Sequence, residues 1–406
     1  MSRPAIGARR PEGRWAGRVA GRVALAALAV GAALAAGSGP GRPAGASVPT
    51  APPVALATSF VSTAGSWAVV PMGTLSDPLN TFWQVFFRAT GAAAWSLVTP
   101  PGVADNGGLV STGGASTVLT SGFEPSDDLR FSPTAQTADN GRSWSAGLLG
   151  QGLALVPDAL GGAPQPAGPG LRALVRTAGG TVLASDDGLS GWRVSVSRRG
   201  LAATAAGRRC RLGALTGVAV ADGATVVAGT CRSAGVVGLF TPGPTGWRLI
   251  GPPAGVVAGP TTVLRLSATG PDDLVALVAG ARGSRLRVLW TADGGTTWTA
   301  SPSLGVAPGS AVVSSGFGGS GAPAVVLLRR PGSAGLAAAD VSPGAPAWRV
   351  LPRPPPGTAA VVEGPDGAVD ALTVASTRMT DWALNASGSW TRGAVVVVPI
   401  QFGSSS

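Results

Sequence analysis

The sequence contains the stretch Thr291-Ala292-Asp293-Gly294-Gly295-Thr296-Thr297-Trp298, in which a glycine-rich turn comes immediately before a tryptophan. Tryptophan then recurs along the chain at steps of 49, 48, 55, 51, 50 and 42 residues. The recurring residues are Trp95, Trp144, Trp192, Trp247, Trp298, Trp348 and Trp390. A period of about 40 to 50 residues is typical of a β-propeller, in which each repeat is one four-stranded blade. The interval therefore predicts seven blades.

Residues 261–300 show the pattern of one blade most clearly. The sequence predicts strands at Thr262–Ala268, Leu274–Ala279 and Leu286–Thr291, with Trp298 opening a fourth, outer strand. The first repeat has matching segments at Ser59–Thr63, Trp67–Pro71, Phe82–Arg88 and Trp95–Val98. The predicted fold is therefore all-β, a seven-bladed propeller of four-stranded antiparallel blades over residues 54–402, arranged radially about a hollow axis.

The end of the chain bears on ring closure. The apolar run Ala394–Ile400 next to the last tryptophan is well placed to complete a blade with strands from the other end of the chain. The simplest count instead gives every blade its own four strands. Both arrangements are open at the level of sequence.

Two turns share one pattern. Thr137-Ala138-Asp139-Asn140-Gly141-Arg142-Ser143-Trp144 and the stretch ending at Trp298 both read Ser/Thr-x-Asp-x-Gly-x-x-Trp. In such a turn the Asp carboxylate accepts backbone N–H bonds, Gly adopts a positive φ and Trp closes over the hairpin. This pattern resembles the Asp-box, or BNR repeat, of the sialidase-like propellers.

The resemblance implies structural roles for the turn residues, since in that family the boxes lie at the periphery, between the third and fourth strands of a blade. The residues concerned are Asp139, Gly141, Trp144, Asp293, Gly295 and Trp298. Two further copies are imperfect. The segment Ser185–Trp192 keeps Asp186 and Gly188 but is interpreted as one residue longer, and Asn385 replaces Asp before Trp390. Neither catalysis nor calcium binding is expected of these turns.

The composition excludes several mechanisms. The chain has no His, Tyr or Lys, so its 30 basic residues are all Arg, and no imidazole, phenol or amine side chain is present. Sialidases use a Tyr nucleophile, which disfavours their mechanism here. The net charge is +11, but seven Arg and one Glu before residue 47 supply +6 of it. The remaining +5 does not indicate nucleic-acid binding, and no metal or cofactor is expected.

Residues 1–46 have the features of an export signal, followed by a linker at 47–53. A basic segment precedes the apolar run Val23–Ala36, which is short for a membrane span, and Ala44-Gly45-Ala46 fits a cleavage site. The pair Arg9-Arg10 raises the twin-arginine route, although the apolar residues that should follow are missing. An uncleaved N-terminal anchor is the alternative. The sequence predicts a secreted or extracytoplasmic monomer.

The two cysteines fit that location. Cys210 and Cys231 flank a predicted hairpin with strands near Leu212–Val220 and Thr225–Thr230. The ends of a hairpin lie side by side, and a disulfide is favoured in an oxidising compartment. Two free buried thiols are the alternative.

The face of a propeller that carries the second-to-third strand links and the blade-to-blade links is the usual binding face. When the predicted strands are placed on a propeller, the links on this face carry acidic residues in one sector and basic residues in another. The acidic candidates are Glu124, Asp127 and Asp128, and the basic candidates are Arg199, Arg209, Arg232, Arg282 and Arg330. Guanidinium groups favour carboxylates, sulfates or phosphates, but solvated loop charges would look the same.

The sequence thus predicts a secreted, non-enzymatic binding or scaffold module at the cell envelope, for an anionic glycan or a protein partner. The alternative is a glycoside hydrolase that uses two carboxylates, taken from Glu124, Asp127 and Asp128. An assembly factor that grips a protein with the same face is not distinguished from the first hypothesis.

Overall fold

The computed structural model describes residues 57–62, 64–73, 81–100, 109–112, 118–121, 132–153, 160–162, 170–280, 283–318, 321–333, 335–364 and 367–398. The predicted signal segment 1–46 and linker 47–53 lie outside these ranges. The described chain is all-β apart from two short helices.

The strands follow one another in sets of four, and within each set neighbouring strands are antiparallel. Set 1 comprises β1 Ala57–Ser62, β2 Gly65–Gly73, β3 Thr81–Ala89 and β4 Ser96–Leu97. Set 2 comprises β5 Leu109–Thr112, β6 Val118–Ser121, β7 Ser132–Thr137 and β8 Ser145–Leu149. Set 3 comprises β9 Leu160–Gly162, β10 Ala173–Arg176, β11 Thr181–Ser185 and β12 Arg193–Ser197. Helices α1 Arg198–Ala202 and α2 Ala205–Cys210 link set 3 to set 4.

Sets 4 to 7 repeat the arrangement, with one extra short strand, β21, that pairs with β19. Set 4 comprises β13 Leu212–Ala221, β14 Ala224–Cys231, β15 Gly238–Gly243 and β16 Gly246–Leu249, and set 5 comprises β17 Thr261–Ala268, β18 Leu274–Ala279, β19 Arg285–Thr291, β20 Thr299–Ala300 and β21 Leu304–Gly305. Set 6 comprises β22 Ala311–Phe317, β23 Ala324–Arg329, β24 Leu336–Val341 and β25 Arg349–Val350. Set 7 comprises β26 Thr358–Glu363, β27 Val369–Ala375, β28 Arg378–Leu384 and β29 Trp390–Val397. Strand β29 pairs with β28, so the last set draws all four strands from its own segment.

The first strands of the sets form a ring. Strand β1 contacts β5, β5 contacts β9, β9 contacts β13 and β13 contacts β17. Arg265 of β17 is hydrogen-bonded to Ser315 of β22, β22 contacts β26, and β26 contacts β1 again. Sheets arranged radially around their first strands, with the last next to the first, are the architecture of a β-propeller.

The axis is not hollow where these strands meet. Strand β1 pairs in parallel with β22, from Ala57 opposite Ser314 to Phe60 opposite Phe317. The Ser59 hydroxyl donates to the carbonyl of Ser315 at 3.3 Å or to that of Val361 at 3.2 Å. The hollow axis expected from the repeat is therefore wrong at this level, because hydrogen bonds bring the inner strands of sets 1, 6 and 7 together.

The core lies between adjacent sheets. In β18 every residue is buried, and alternate side chains belong to different clusters. Leu274 and Ala276 pack into the cluster shared with set 4, whereas Val275 and Leu277 pack into the cluster shared with set 6. Side chains alternate between the two faces of a strand, so a continuous apolar run fits a sheet covered on both sides.

Each recurring tryptophan lies within one residue of the start of the fourth strand of its set. Several of them pack into the cluster between their own set and the preceding one: Trp144 against the core of set 1, Trp298 against set 4, and Trp348 against set 5. Their indole N–H groups donate to the preceding set, Trp144 to the carbonyl of Val98 at 2.9 Å and Trp348 to that of Pro302 at 2.8 Å. The repeated residue therefore joins one sheet to the sheet before it.

The predicted disulfide is confirmed. Cys210 and Cys231 are bonded, with Cα atoms 4.8 Å apart. Both residues are fully buried in the cluster that α1 and α2 form with set 4. The bond therefore fixes the end of α2 to the end of β14.

Candidate functional site

A cavity of about 400 Å³ lies between sets 5 and 6. This volume falls within the usual range of small-molecule sites. Its lining residues are Thr216, Thr262, Val263, Leu264, Arg265, Leu277, Ala279, Gly283, Leu286, Val306, Ser310, Ala311, Val312, Val313, Ser314, Ser315 and Leu328. We call this cavity the 5/6 pocket.

The lining is mainly aliphatic. Among the described residues that line the pocket, Arg265 carries a charge, and none of the others is acidic or aromatic. Hydroxyls come mainly from the inner strands. The buried hydroxyl of Thr216 has no hydrogen-bond partner among the described residues. The pocket can therefore accept apolar groups along most of its wall and polar groups at its inner end.

Arg265 is buried and connects three sets. Its guanidinium lies 3.0 Å from the Ser315 hydroxyl and donates to the carbonyls of Ser315 and Ser59. The guanidinium carbon also lies 4.7 Å from the ring centroid of Phe317. These contacts hold the cation at the inner end of the pocket and join set 5 to sets 6 and 1.

The pocket opens on the face that the sequence assigns to binding. Gly283 belongs to the link between the second and third strands of set 5, and Ser310 lies directly before the first strand of set 6. Arg329 is exposed and pairs directly with Ala311, which lines the pocket. Directly opposed residues of antiparallel strands project from the same face of a sheet. Val312 and Leu328, the next pair along these strands, pack toward set 5, and Leu336, which pairs with Arg329 on β24, packs toward set 7. Arg329 therefore projects from the face of set 6 that is turned toward set 7.

The arginines predicted from the sequence to form one basic sector lie at separate places in the structure. Arg199 and Arg209 are exposed on α1 and α2, and Arg232 is exposed just after β14. Arg209 lines a separate cavity of about 90 Å³. Arg330 is exposed next to Arg329, close to the 5/6 pocket, and Arg282 lies outside the described residues.

The predicted carboxylates Glu124, Asp127 and Asp128 lie outside the described residues. The structure instead shows buried acidic groups that sequence reasoning missed. Arg88 of β3 pairs with Asp370 of β27 and, at 3.2 Å, with Asp381 of β28. Burial raises the pKa of Asp381 despite the opposing charge of Arg88. This cluster joins set 1 to set 7 and lies outside the pocket lining.

Glu363 is the second buried acid. It ends β26, is 1% exposed, and accepts the backbone N–H of Gly318 at 2.9 Å through Oε2. Its Oε1 is buried and has no hydrogen-bond partner among the described residues. Burial raises the pKa of Glu363 from 4.5 to about 8, and the nearby charge of Asp340 adds to the increase. Asp340 itself pairs with Arg349. Nothing in the sequence around Glu363 distinguishes it from a strand-end residue.

The two turns of Asp-box pattern have the same hydrogen bonds. Asp139 accepts from the Thr137 hydroxyl at 2.8 Å and the Ser143 N–H at 2.9 Å, and Asp293 accepts from Thr291 at 2.7 Å and Thr297 at 2.8 Å. The bonds that each receives, led by the hydroxyls of Ser143 and Thr297, lower the pKa of both carboxyls to about 2.

The glycines of both turns have the left-handed backbone, with φ of +83° at Gly141 and +88° at Gly295. Because both carboxylates accept hydrogen bonds from residues of their own turns, their role is to stabilise the turn.

The third turn corrects one reading of the sequence. Asp187, not Asp186, accepts from the Ser185 hydroxyl at 2.7 Å and the Ser190 N–H at 2.8 Å. Burial opposes ionisation there, but the bonds from Ser190 and its neighbours lower the pKa of Asp187. Asp186 instead forms an exposed pair with Arg193 at 2.8 Å. The distance from acid to tryptophan is thus the same as in the other turns, and no residue is inserted.

The fourth turn uses the amide in place of the acid. Asn385 accepts the N–H of Ser389 at 2.9 Å, four residues on, as Asp139 does from Ser143. The Trp390 indole then donates to the Pro352 carbonyl at 3.3 Å. Asn385 thus makes the contact that the sequence assigns to it.

No cluster of three or more acidic or cysteine side chains is placed to hold a metal ion in the part of the chain that the structure describes. The described helices include none of sufficient length and apolarity to span a membrane.

No protein-family model matches the chain, and no curated protein matches it. Among solved structures, the chain is similar to the GH74 xyloglucanase of Xanthomonas campestris, with 14% identity and a TM-score of 0.48 over 80% of this chain and 51% of that one. The chain therefore spans about half the length of the xyloglucanase.

Two shorter proteins are also similar. The Aleuria aurantia lectin, a six-bladed β-propeller with a fucose recognition mode, has 14% identity and a TM-score of 0.42 over 86% of this chain and 96% of the lectin. The periplasmic gluconolactonase PpgL of Pseudomonas aeruginosa has 17% identity and a TM-score of 0.48 over 81% and 95% of the two chains.

Proposed function

We propose that this protein is an extracytoplasmic, non-enzymatic β-propeller that acts as a binding module at the cell envelope, with the 5/6 pocket as its ligand site. The seven sets of strands are proposed as the seven blades of the ring. The turns at Asp139 and Asp293 are proposed as Asp-boxes with a structural role, since their carboxylates are saturated by bonds from their own turns.

One observation supports binding over hydrolysis. The 5/6 pocket has a ligand-sized volume and a guanidinium at its inner end, while no carboxylate is among its described lining residues. Glycoside hydrolysis needs a pair of carboxyl groups about 5 to 10 Å apart. A pocket with an arginine and without acids suits retention of an anionic ligand.

The location is proposed from the disulfide and the sequence. Disulfides persist in oxidising compartments and are rare in the cytosol. The bond between Cys210 and Cys231 thus agrees with the export signal predicted at residues 1–46. The protein is proposed to act as a monomer.

A binding and turnover assay tests the proposal. The chain from residue 47 onward would be titrated with carboxylated and sulfated oligosaccharides and with acidic peptides, and reducing ends would be measured in parallel. We expect saturable binding without release of reducing ends, and loss of binding in Val312→Trp, which fills the pocket from a partly exposed position on the wall that faces set 5.

Release of reducing ends would contradict the proposal and support the glycoside hydrolase. In that case Glu124→Gln and Asp127→Asn would abolish turnover, since those residues are the predicted acids. Binding that Val312→Trp leaves unchanged would retain a binding function but place it elsewhere on the surface.

A further inference from the structure

Three exposed arginines lie beside the disulfide, where the chain passes from α2 into set 4. Arg209 and Arg211 flank Cys210. Arg232 directly follows Cys231. The Cα atoms of the two cysteines are 4.8 Å apart, and consecutive Cα atoms are about 3.8 Å apart, so the Cα atoms of the three arginines lie within about 12 Å of one another. We call these residues the arginine cluster.

The strand pairing brings two of these like charges opposite each other. The N–H of Arg232 donates to the carbonyl of Arg211 at 3.4 Å. This bond continues, by one residue, the pairing of Leu212 with Cys231. Like charges directly opposite on paired strands are destabilising. The structure therefore holds together two cations that repel each other.

No described acid offsets this repulsion. None of the three arginines forms an ion pair with a carboxylate of the described chain. Residues 188–271 include a single acid, Asp222. It follows the far end of β13 from Arg211, roughly 30 Å along the strand. The guanidinium groups of the cluster are thus available to an anion from outside.

The backbone of Arg211 is also unfavourable. Arg211 ends α2 in the left-handed region, with φ of 52° and ψ of 56°. Glycine usually occupies this position of a helix, because it adopts the conformation without strain. An arginine that is unfavourable both for its own backbone and for its charged neighbour indicates a functional position.

The surroundings of the cluster indicate the kind of anion. Residues 205–214 and 231–236 include no exposed large apolar or aromatic side chain. The centres of protein interfaces are rich in such side chains, and helices that lie on membranes insert them into the lipid. The cluster instead suits a soluble polyanion that is recognised through its charges. Arginine binds phosphate through two parallel hydrogen bonds.

We propose that the arginine cluster binds a linear phosphate polymer. The cluster is separate from the 5/6 pocket, since none of the three arginines lines that cavity. The proposal therefore adds a second binding surface and goes beyond the proposed function.

Calorimetric titration with inorganic polyphosphate at several salt concentrations tests the ligand class. We expect binding that weakens with salt, because each contact with the polymer releases counterions. Orthophosphate, which has the group without the chain, should bind far more weakly, since the polymer engages several arginines at once. Tighter binding to polyglutamate or to phosphatidylglycerol vesicles, compared at equal charge, would overturn the proposal.

Arg232→Gln locates the site. It should weaken polyphosphate about tenfold, because a charged hydrogen-bond partner is lost, and should lower the salt dependence by about one phosphate contact. Arg392→Gln is the matched control, since Arg392 is an exposed arginine on the outer strand of set 7. Equal effects of the two variants would show that net charge alone holds the polymer, and the proposal would fail.

Arg211→Gly separates binding from structure. Glycine relieves the left-handed backbone and removes the repulsion of Arg232, so the melting temperature should rise while the affinity for polyphosphate falls. Ser376→Gly is the control, because Ser376 is exposed and has φ of 55° without a charge. It should also raise the melting temperature and leave the affinity unchanged. An Arg211→Gly variant of unchanged affinity would overturn the proposal.

Val312→Trp distinguishes this surface from the 5/6 pocket. It fills the pocket and should leave polyphosphate binding unchanged, whatever its effect on other ligands. Loss of polyphosphate binding in Val312→Trp would place the polymer in the pocket and contradict the assignment to the arginine cluster.

Discussion

The junction between sets 4 and 5 and the junction between sets 7 and 1 join neighbouring sheets in different ways. At the first, the chain passes directly from one set to the next. The indole of Trp298 donates to the Ile250 carbonyl at 2.6 Å, and Gly295 packs against the same residue. The hydrogen bond joins residues 48 positions apart, is neutral, and has counterparts at other junctions.

At the second junction the two sheets come from opposite ends of the chain. Arg88 reaches Asp370 and Asp381, which are 282 and 293 residues away, and also lies 4.8 Å from the Trp95 ring centroid. The same two sheets share an apolar cluster that includes Phe86 and Met379. At this junction a buried ionic cluster joins the two sheets, whereas turns and indole side chains join them at the other junction.

The difference concerns chain connectivity. Adjacent sets that share a linker meet at high local concentration, so weak neutral bonds suffice to fix their packing. The closing junction must order two distant segments, which costs more loop entropy. Buried charges without their partners are strongly unfavourable. The ionic cluster therefore favours the closed register over other arrangements of the two sheets.

Arg88→Met tests the closing junction and should have the largest effect. It leaves Asp370 and Asp381 buried without their cation, and we expect a loss of about 3–5 kcal/mol in the free energy of unfolding. Urea denaturation followed by tryptophan fluorescence measures it. Arg193→Met, which breaks the exposed pair with Asp186, should change stability little.

Neutralisation of the acids sharpens this test. In the Arg88→Met background, Asp370→Asn with Asp381→Asn should recover part of the loss, because amides are far less costly to bury than carboxylates. If Arg88→Met and Arg193→Met are equally mild, the ionic cluster does not stabilise the closed ring.

Glu363, near the inner strands of sets 6 and 7, predicts a pH dependence. Its folded pKa of about 8 exceeds the ordinary value of 4.5, so between these values the folded state holds a proton that the unfolded state has released. Stability is complete below pH 4.5 and falls by about 1.4 kcal/mol for each pH unit until about pH 8. From pH 5.5 to 7.5 this amounts to about 3 kcal/mol.

Glu363→Gln should remove most of that slope, and unfolding midpoints measured between pH 5 and 9 would show it. A decrease with pH also remains expected from Asp381, because burial raises its pKa as well. A variant with the same slope as the wild type would mean that Glu363 is ionised in the folded protein at neutral pH.

Gly141→Ala tests a junction between covalent neighbours. A Cβ at Gly141 would lie 2.6 Å from the Cβ of Val98 in the preceding set. Gly91 also has a positive φ but has open space at its Cβ, so Gly91→Ala measures the backbone strain alone. We expect Gly141→Ala to cost about 1–3 kcal/mol more than Gly91→Ala. Equal melting temperatures for the two variants would show that the turn does not pack tightly on set 1.

Trp298→Phe should have the smallest effect. It keeps an aromatic ring and removes the N–H that bonds to Ile250, a loss of about 1 kcal/mol. Trp192 is the control, because its buried indole nitrogen has no hydrogen-bond partner among the described residues. Trp192→Phe should therefore be close to neutral. Equal losses in chemical denaturation would assign the effect to ring size and not to the hydrogen bond.

Local features of the fold were predictable because they depend on nearby residues. The strands predicted at Leu274–Ala279 and around Trp67 coincide with β18 and β2. Turn chemistry was harder where two acids are adjacent, since only the bonds made by Asp187 separate it from Asp186. The sequence could predict the binding face but not the pocket itself, because the walls of the pocket come from separate strands whose register the sequence does not specify.

The sequence by itself determined the repeat, the blade-like order of strands and the disulfide, since each depends on residue spacing along the chain. Only the tertiary structure decided the filled axis, the Arg88 cluster and the alignment of Arg329 with Ala311. The physical reason is that these features depend on which distant strands become neighbours. Hydrogen-bond register and burial, which appear only after the sheets pack, set those pairings.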